Sequence, residues 1–165
     1  MRAAVVTISD RSHRGERSDV SGPVLAHLVE EAGASIVERT LLPDDEAMIE
    51  QALVRLVDHL GCELVCTTGG TGISPRDVTP EATLRVISRR LHGLEAAILL
   101  DSLPRTPFAM LSRAVIGVRN RALIANFPGS PKAVKECFAV IRPVLGHVVK
   151  LLRDEDPHTA VMPCR

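Results

Sequence analysis

Two kinds of apolar pattern alternate along the chain. Short runs rich in apolar and β-branched residues occupy 3–8, 35–42, 63–67, 114–118 and 122–127, and each is predicted to be a strand. Between them lie longer stretches with helical spacing. The first is predicted to start at Ser21 as N-cap, with Pro23 in its first turn, and to end at Gly33. The next covers 45–60, where Met48, Ile49, Ala52, Leu53, Leu56, Val57 and Leu60 form one apolar stripe. Thr79 as cap and Pro80 at the first helical position open a third. A fourth covers 93–103 and is closed by Pro104. Ser130-Pro131 begins the last, with Ala133, Val134, Cys137, Phe138 and Ile141 on its apolar side. Pro143 is expected to kink or break that helix before it ends near Leu152. Arg119-Asn120-Arg121 separates the last two strands as a hairpin turn. The alternation predicts an α/β fold of three layers (α/β/α), with a mostly parallel central sheet and an added antiparallel hairpin. Ligands of such sheets bind beyond the carboxyl ends of the strands.

At 165 residues the chain fits one domain. We place it at 1–153, with an extended C-terminal tail over 154–165. Twenty Lys and Arg offset twenty Asp and Glu, so no global field draws in nucleic acid or an acidic membrane. With no Trp, no Tyr and three Phe there is almost nothing on which bases could stack, so nucleic acid is not expected as a partner. The apolar run at the N-terminus is too short for a signal peptide, and no stretch has the length of a membrane span. Cys62, Cys66, Cys137 and Cys164 show no close-pair framework. Together these features predict a cytoplasmic protein. His59, Cys62 and Cys66 could form part of a zinc site, but there is no C-x-x-C element and Cys66 lies in an apolar run, so they read as small core residues.

Four loops follow predicted strands and carry polar chemistry. Thr68-Gly69-Gly70-Thr71-Gly72 leaves the third strand and continues to Pro75-Arg76-Asp77. Its backbone N–H groups and hydroxyls are the material of an anion cradle. It is not a Walker loop, which needs a lysine, nor a dinucleotide fingerprint, which Pro75 disrupts. A tight turn demanding positive φ explains the glycines equally well. In Pro43-Asp44-Asp45-Glu46, Asp44 reads as the N-cap of the next helix, yet three adjacent acids exceed what a cap requires. Asp44 and Asp77, from separate strand ends, could converge on one magnesium ion. In Asn126-Phe127-Pro128-Gly129-Ser130-Pro131-Lys132, a Ser-capped helix start accounts for most residues. Lys132 opposes the helix dipole there, as an anionic ligand would explain. Ser9-Asp10-Arg11 after the first strand has a similar character.

Taken in order, Ile8-Ser9-Asp10-Arg11, Pro43-Asp44-Asp45-Glu46, the segment from Thr68 to Thr83, Ala109-Met110-Leu111-Ser112-Arg113 and Pro128-Gly129-Ser130-Pro131 resemble the MoaB/Mog family of molybdenum-cofactor biosynthesis proteins. That family includes the G domain of gephyrin. The likeness runs over about 3–152, and the long motif beginning at Thr68 is its most specific part. Phe127 and His92-Gly93-Leu94 depart from the usual pattern. The resemblance implies a homotrimer and a molybdopterin adenylyltransferase: magnesium-dependent transfer of AMP from ATP to the terminal phosphate of molybdopterin, with release of pyrophosphate. It implies that Asp44 and Asp77 are the critical acids. It also implies that the glycine loop, Ser112, Arg113 and the Pro128-Gly129 turn line the pterin and nucleotide pocket. A metal-insertion protein downstream in the same pathway is an implied partner.

The chemistry suits this reading. A phosphate monoester nucleophile is already anionic, so it needs positioning and charge neutralisation, with Arg76, Arg113 and Lys132 as cationic donors, and no activating histidine. Two other readings stand beside it: a non-catalytic trimeric pterin-binding or scaffold relative, and a nucleotide-phosphate hydrolase on the same scaffold.

Overall fold

The computed structural model describes residues 1–154. The continuous apolar runs become the middle of a six-stranded sheet ordered β2-β1-β3-β6-β5-β4. Its strands are β1 (Arg2–Ile8), β2 (Ser35–Leu42), β3 (Leu64–Thr68), β4 (Arg89–Arg90), β5 (Ile116–Arg119) and β6 (Ala122–Phe127). The first three and β6 are mutually parallel, and β5 runs antiparallel to both β6 and β4. β3 and β6 are buried along their whole length because layers cover both faces, which is why they read as unbroken apolar runs. β2 lies at the edge and alternates exposed with half-buried positions.

Side chains of the parallel strands alternate between two cores. Ala3, Val5, Leu64, Cys66, Leu123 and Phe127 pack under helices α2 (Ser21–Glu31), α5 (His92–Ser102) and α6 (Pro131–Leu152). Ala4, Val6, Ile8, Val65 and Ile124 pack on the opposite face under α3 (Glu46–Val54) and α4 (Thr79–Val86). The three-layer expectation therefore holds. Cys62 and Cys66 fall in opposite cores and His59 is exposed, so they assemble no zinc site. Burial alone pushes the Cys66 thiol far above its usual range. Among the described residues, no helix is long and apolar enough to cross a membrane.

Several local expectations are corrected. α6 runs unbroken through Pro143. Pro143 lies on the exposed side of α6, where water can satisfy the carbonyl that it frees. The buried side chains of Phe138, Ile141, Leu145 and Val149 hold both halves on the sheet. Ser21 and Thr79 are first helical residues and not caps. Val20 is the N-cap residue of α2, and Asp19 just before it accepts the Gly22 N–H at 2.9 Å. Thr79 Oγ1 donates to the Gly69 carbonyl at 3.0 Å. The helix predicted to reach residue 60 ends in one π-helical turn over Arg55–His59, which keeps Leu56 and Val57 buried. Three short elements escaped the sequence pattern: α1 (Asp10–His13), β4, and a 3-10 turn over Pro107–Leu111. The expected tail beyond residue 154 lies outside the described residues.

Candidate functional site

The carboxyl ends of β1, β2, β3 and β6 open on one side of the sheet, and the polar loops meet there. Gly69 and Gly70 turn the chain out of β3 with φ of 102° and 62°, in the left-handed region that favours glycine. Packing demands glycine as well. A Cβ on Gly69 would sit 2.1 Å from the Ile8 carbonyl, and one on Gly70 would sit 2.4 Å from Thr79 Oγ1 and 2.9 Å from Asp44 Oδ1. The loop's carbonyls are already used: Thr79 donates its hydroxyl to Gly69 and its N–H to Gly70 at 3.1 Å. The N–H groups of Gly70, Thr71 and Gly72 have no acceptor among the described residues. That leaves three successive donors for an anion. Thr68 Oγ1 donates to the Pro128 carbonyl at 2.8 Å and so ties this loop to the Pro128-Gly129 turn. Below it, buried Asn126 donates to Thr67 and Thr83 hydroxyls and accepts the Val115 N–H, a fully used network that stiffens the floor.

The acids separate into roles that the sequence left merged. Asp45, and not Asp44, caps α3, accepting the Met48 N–H at 2.9 Å. Asp44 is buried and exchanges hydrogen bonds with Asp10: Asp10 N–H donates to Asp44 Oδ2 at 2.8 Å, and Asp44 N–H to Asp10 Oδ1 at 3.0 Å. Arg76 grips Asp10 with two bonds of 2.9 and 3.1 Å and holds its carboxyl below the usual carboxylate range. Burial pushes the Asp44 carboxyl above that range. The Asp10 N–H opposes the rise, and the charges of Asp10 and Asp77 add to it. Asp77 Oδ2 accepts the Ser74 N–H at 2.8 Å. The Oδ1 atoms of Asp44 and Asp77 have no donor among the described residues.

Asp44 and Asp77 line one polar cleft of about 220 Å³, together with Ser9, Gly69, Gly70 and Gly129. Two carboxylates with a free oxygen each, facing one cleft, suit a hard cation that keeps several waters. Among the described residues, no group of three or more ligating side chains would instead suit a metal caged by protein alone. Thr71, Gly72, Ser112, Arg113 and Pro128 line a second, larger and more apolar cleft of about 610 Å³, whose far wall includes Ile98, Leu99, Phe108 and Leu111. The glycine loop is the partition between the two.

Six residues predicted for the site line neither cleft. Asp10 and Arg76 form the clasp behind Asp44, and Thr68 is buried at the loop's root. Arg11 is exposed on α1. Ser130 is the N-cap of α6, and Lys132 is exposed beside Glu136. Conversely, Ser12, Arg17, Ser18 and Asp19 line the smaller cleft and were missed. Asp19, which also accepts the Thr7 hydroxyl at 2.7 Å, stands three residues before Gly22, the spacing of a helix cap, and that signal could have found it. Arg90, His92 and Glu95 on the larger cleft carry no such signal.

A family model described as a probable molybdopterin binding domain matches residues 4–147. The chain belongs to the MoaB/Mog family. It is 43% identical over 151 residues to a molybdopterin adenylyltransferase of Escherichia coli, covering 90% of this chain and 77% of that protein. It is 37% identical to one of Helicobacter pylori over 90% of this chain and 85% of that protein. It matches the Drosophila melanogaster molybdenum cofactor synthesis protein cinnamon at 42% identity, over 92% of this chain but only 25% of that longer protein. Among solved structures, the molybdopterin biosynthesis enzyme MoaB of Thermus thermophilus superposes with a TM-score of 0.88 at 40% identity, over 93% of this chain and 97% of that one. The tungsten cofactor synthesizing protein MoaB of Pyrococcus furiosus superposes at 0.84 and 30% identity, over 92% and 96%. Membership of the family places the chain in molybdenum cofactor biosynthesis.

Proposed function

We propose that the protein is a molybdopterin adenylyltransferase, transferring AMP from ATP to the terminal phosphate of molybdopterin and releasing pyrophosphate. The observation that carries this reading is the pair of clefts sharing one glycine loop, with Asp44 and Asp77, each keeping one unpaired carboxylate oxygen, in the smaller. Two anionic substrates must meet, and the partition between the clefts carries the unused N–H groups of Gly70, Thr71 and Gly72. These can bind a phosphate without any cation of their own. Relatives bearing the adenylyltransferase name at 37% and 43% identity support the same reaction.

Asp44 and Asp77 would hold magnesium, which supplies charge neutralisation between the approaching phosphates. The protein's own part is positioning. Asp10, clasped by Arg76, fixes Asp44 from behind, and the Ser74 N–H fixes Asp77. Among the described residues no histidine lines the smaller cleft, and none is needed, because the nucleophile is an anion already. We place the enzyme in the cytoplasm, working before a metal-insertion protein of the pathway. We further propose a homotrimer, supported by the exposed Leu99, Leu100, Phe108, Met110 and Leu111 around α5 and the 3-10 turn, an apolar patch that a partner subunit would cover.

Pyrophosphate release from ATP tests the reaction. It is expected only when molybdopterin is present. Release without the pterin would make the protein a hydrolase, and no release with bound pterin would make it a binding protein.

A further inference from the structure

Arg113 follows the 3-10 turn and precedes β5, and its side chain turns into the protein. Nε donates to the Gly72 carbonyl at 2.7 Å, Nη2 donates to the Asp77 carbonyl at 2.7 Å, and Nη1 meets the carboxylate of Glu81 in the first turn of α4. Its backbone N–H adds a bond to the Thr71 carbonyl at 2.9 Å. One guanidinium thus spans both ends of the turn 72–77, whose middle, Ile73 to Arg76, is exposed. Within itself that turn has only the bonds that Ser74 makes with Asp77 and Arg76. Gly72 and Arg113 lie on the wall of the larger cleft, whereas Asp77 faces the smaller one. The brace therefore reaches the acid from the far side of the partition.

We propose that Arg113 is a positioning residue for Asp77 and not a ligand of either substrate: its fork closes the turn 72–77 and Glu81 orients the fork. The proposal rests on the adenylyl-transfer reading for its kinetic consequence, though the brace itself can be measured without it. Lysine cannot replace it, because one ammonium point charge does not match two carbonyls and a carboxylate held in a planar fork.

The test uses the full-length protein with Arg113→Lys and, as a milder variant, Glu81→Gln, each checked for folding by its melting temperature. Both variants are expected to bind molybdopterin within about twofold of wild type. At saturating substrates kcat should fall by about tenfold or more in Arg113→Lys, the scale seen when a partner that orients a metal ligand is lost. The magnesium concentration for half-maximal rate should rise in both, which a purely structural loss would not produce. Weakened molybdopterin binding with unchanged kcat would make Arg113 a substrate ligand and overturn the proposal. Wild-type kinetics in both variants would overturn it as well. If wild type itself releases no pyrophosphate, the adenylyl-transfer reading falls separately, and amide exchange decides the brace. Faster exchange over 72–79 with β1 and β6 unchanged supports it; unchanged exchange over 72–79 overturns it.

Discussion

At the scale of single residues, the telling feature is a buried acid kept where stability disfavours it. Asp44 has its carboxyl pushed above the ordinary aspartate value of 3.8 by burial and by two neighbouring acids. A raised folded pKa means that the favourable neutral form is fully present below 3.8 and is lost as pH rises through the folded value. At neutral pH the charge is therefore a burden in the metal-free protein. Asp44→Asn removes it and keeps an oxygen for the Asp10 N–H. Without magnesium, we expect this variant to melt at or above the wild-type temperature at pH 7, with the difference gone below pH 3.8. Its adenylyl transfer should fall by about two orders of magnitude, as on loss of one electrostatic contributor to a transition state. Asp77→Asn should keep the fold and molybdopterin binding and lose activity on the same scale, since its amide oxygen can still accept from Ser74. Because Asp45 and not Asp44 caps α3, the pair of assays is free of a capping effect. Near-normal activity in both variants would mean that neither acid takes part in the reaction.

At the scale of elements, long contacts decide what local pattern leaves open. The hairpin between β5 and β6 turns at Asn120, a non-glycine residue with φ of 51°, which asparagine tolerates. That turn is pinned to the π-helical turn by Asp58, which accepts from Arg119 Nε at 3.1 Å, Arg119 Nη2 at 2.5 Å and Asn120 Nδ2 at 2.8 Å. Arg119 holds the Asp58 carboxyl below its usual value, so this stability is present above 3.8 and lost as pH falls through the lowered folded value. Asp58→Asn should cost about 1 kcal/mol at neutral pH, since the pair is a partly exposed one. Urea unfolding at a series of pH values checks this: the gap to wild type should narrow in acid and stay flat between pH 6 and about 8. A gap that persisted at the acid end would assign the loss to packing and not to charge.

At the scale of the whole molecule, the parallel strands deliver loops from distant parts of the chain to one edge, and α5 with the 3-10 turn adds the second cleft. The same region bears the apolar patch that we assign to a trimer interface. Light scattering at micromolar concentration should give three times the mass of one chain. Leu100→Asp with Met110→Asp, at positions outside both clefts, should lower that mass. A single-chain mass for the wild type would remove the trimer from the proposal.

Much of this architecture was legible from local pattern. Strands buried on both faces read as apolar runs, and helices read through a stripe at helical spacing, because both signals depend on near neighbours in the chain. The glycines of the loop after β3 were legible for the same reason: leaving a strand through left-handed backbone is a local demand. Side-chain partnership was not legible. Asp44 and Asp45 are adjacent in sequence, and only the approach of α1 makes one a partner of Asp10 while the other caps a helix. Arg113 and Lys132 were equal candidates as free cations. Packing gives Arg113 two loop carbonyls and leaves Lys132 exposed on α6. The intrinsic preference of Pro143 is to break a helix, and the burial of its neighbours against the sheet outweighs that preference. Local rules set what each segment forms, whereas the choice among equivalent polar groups follows from which strand ends the parallel sheet brings within hydrogen-bonding reach.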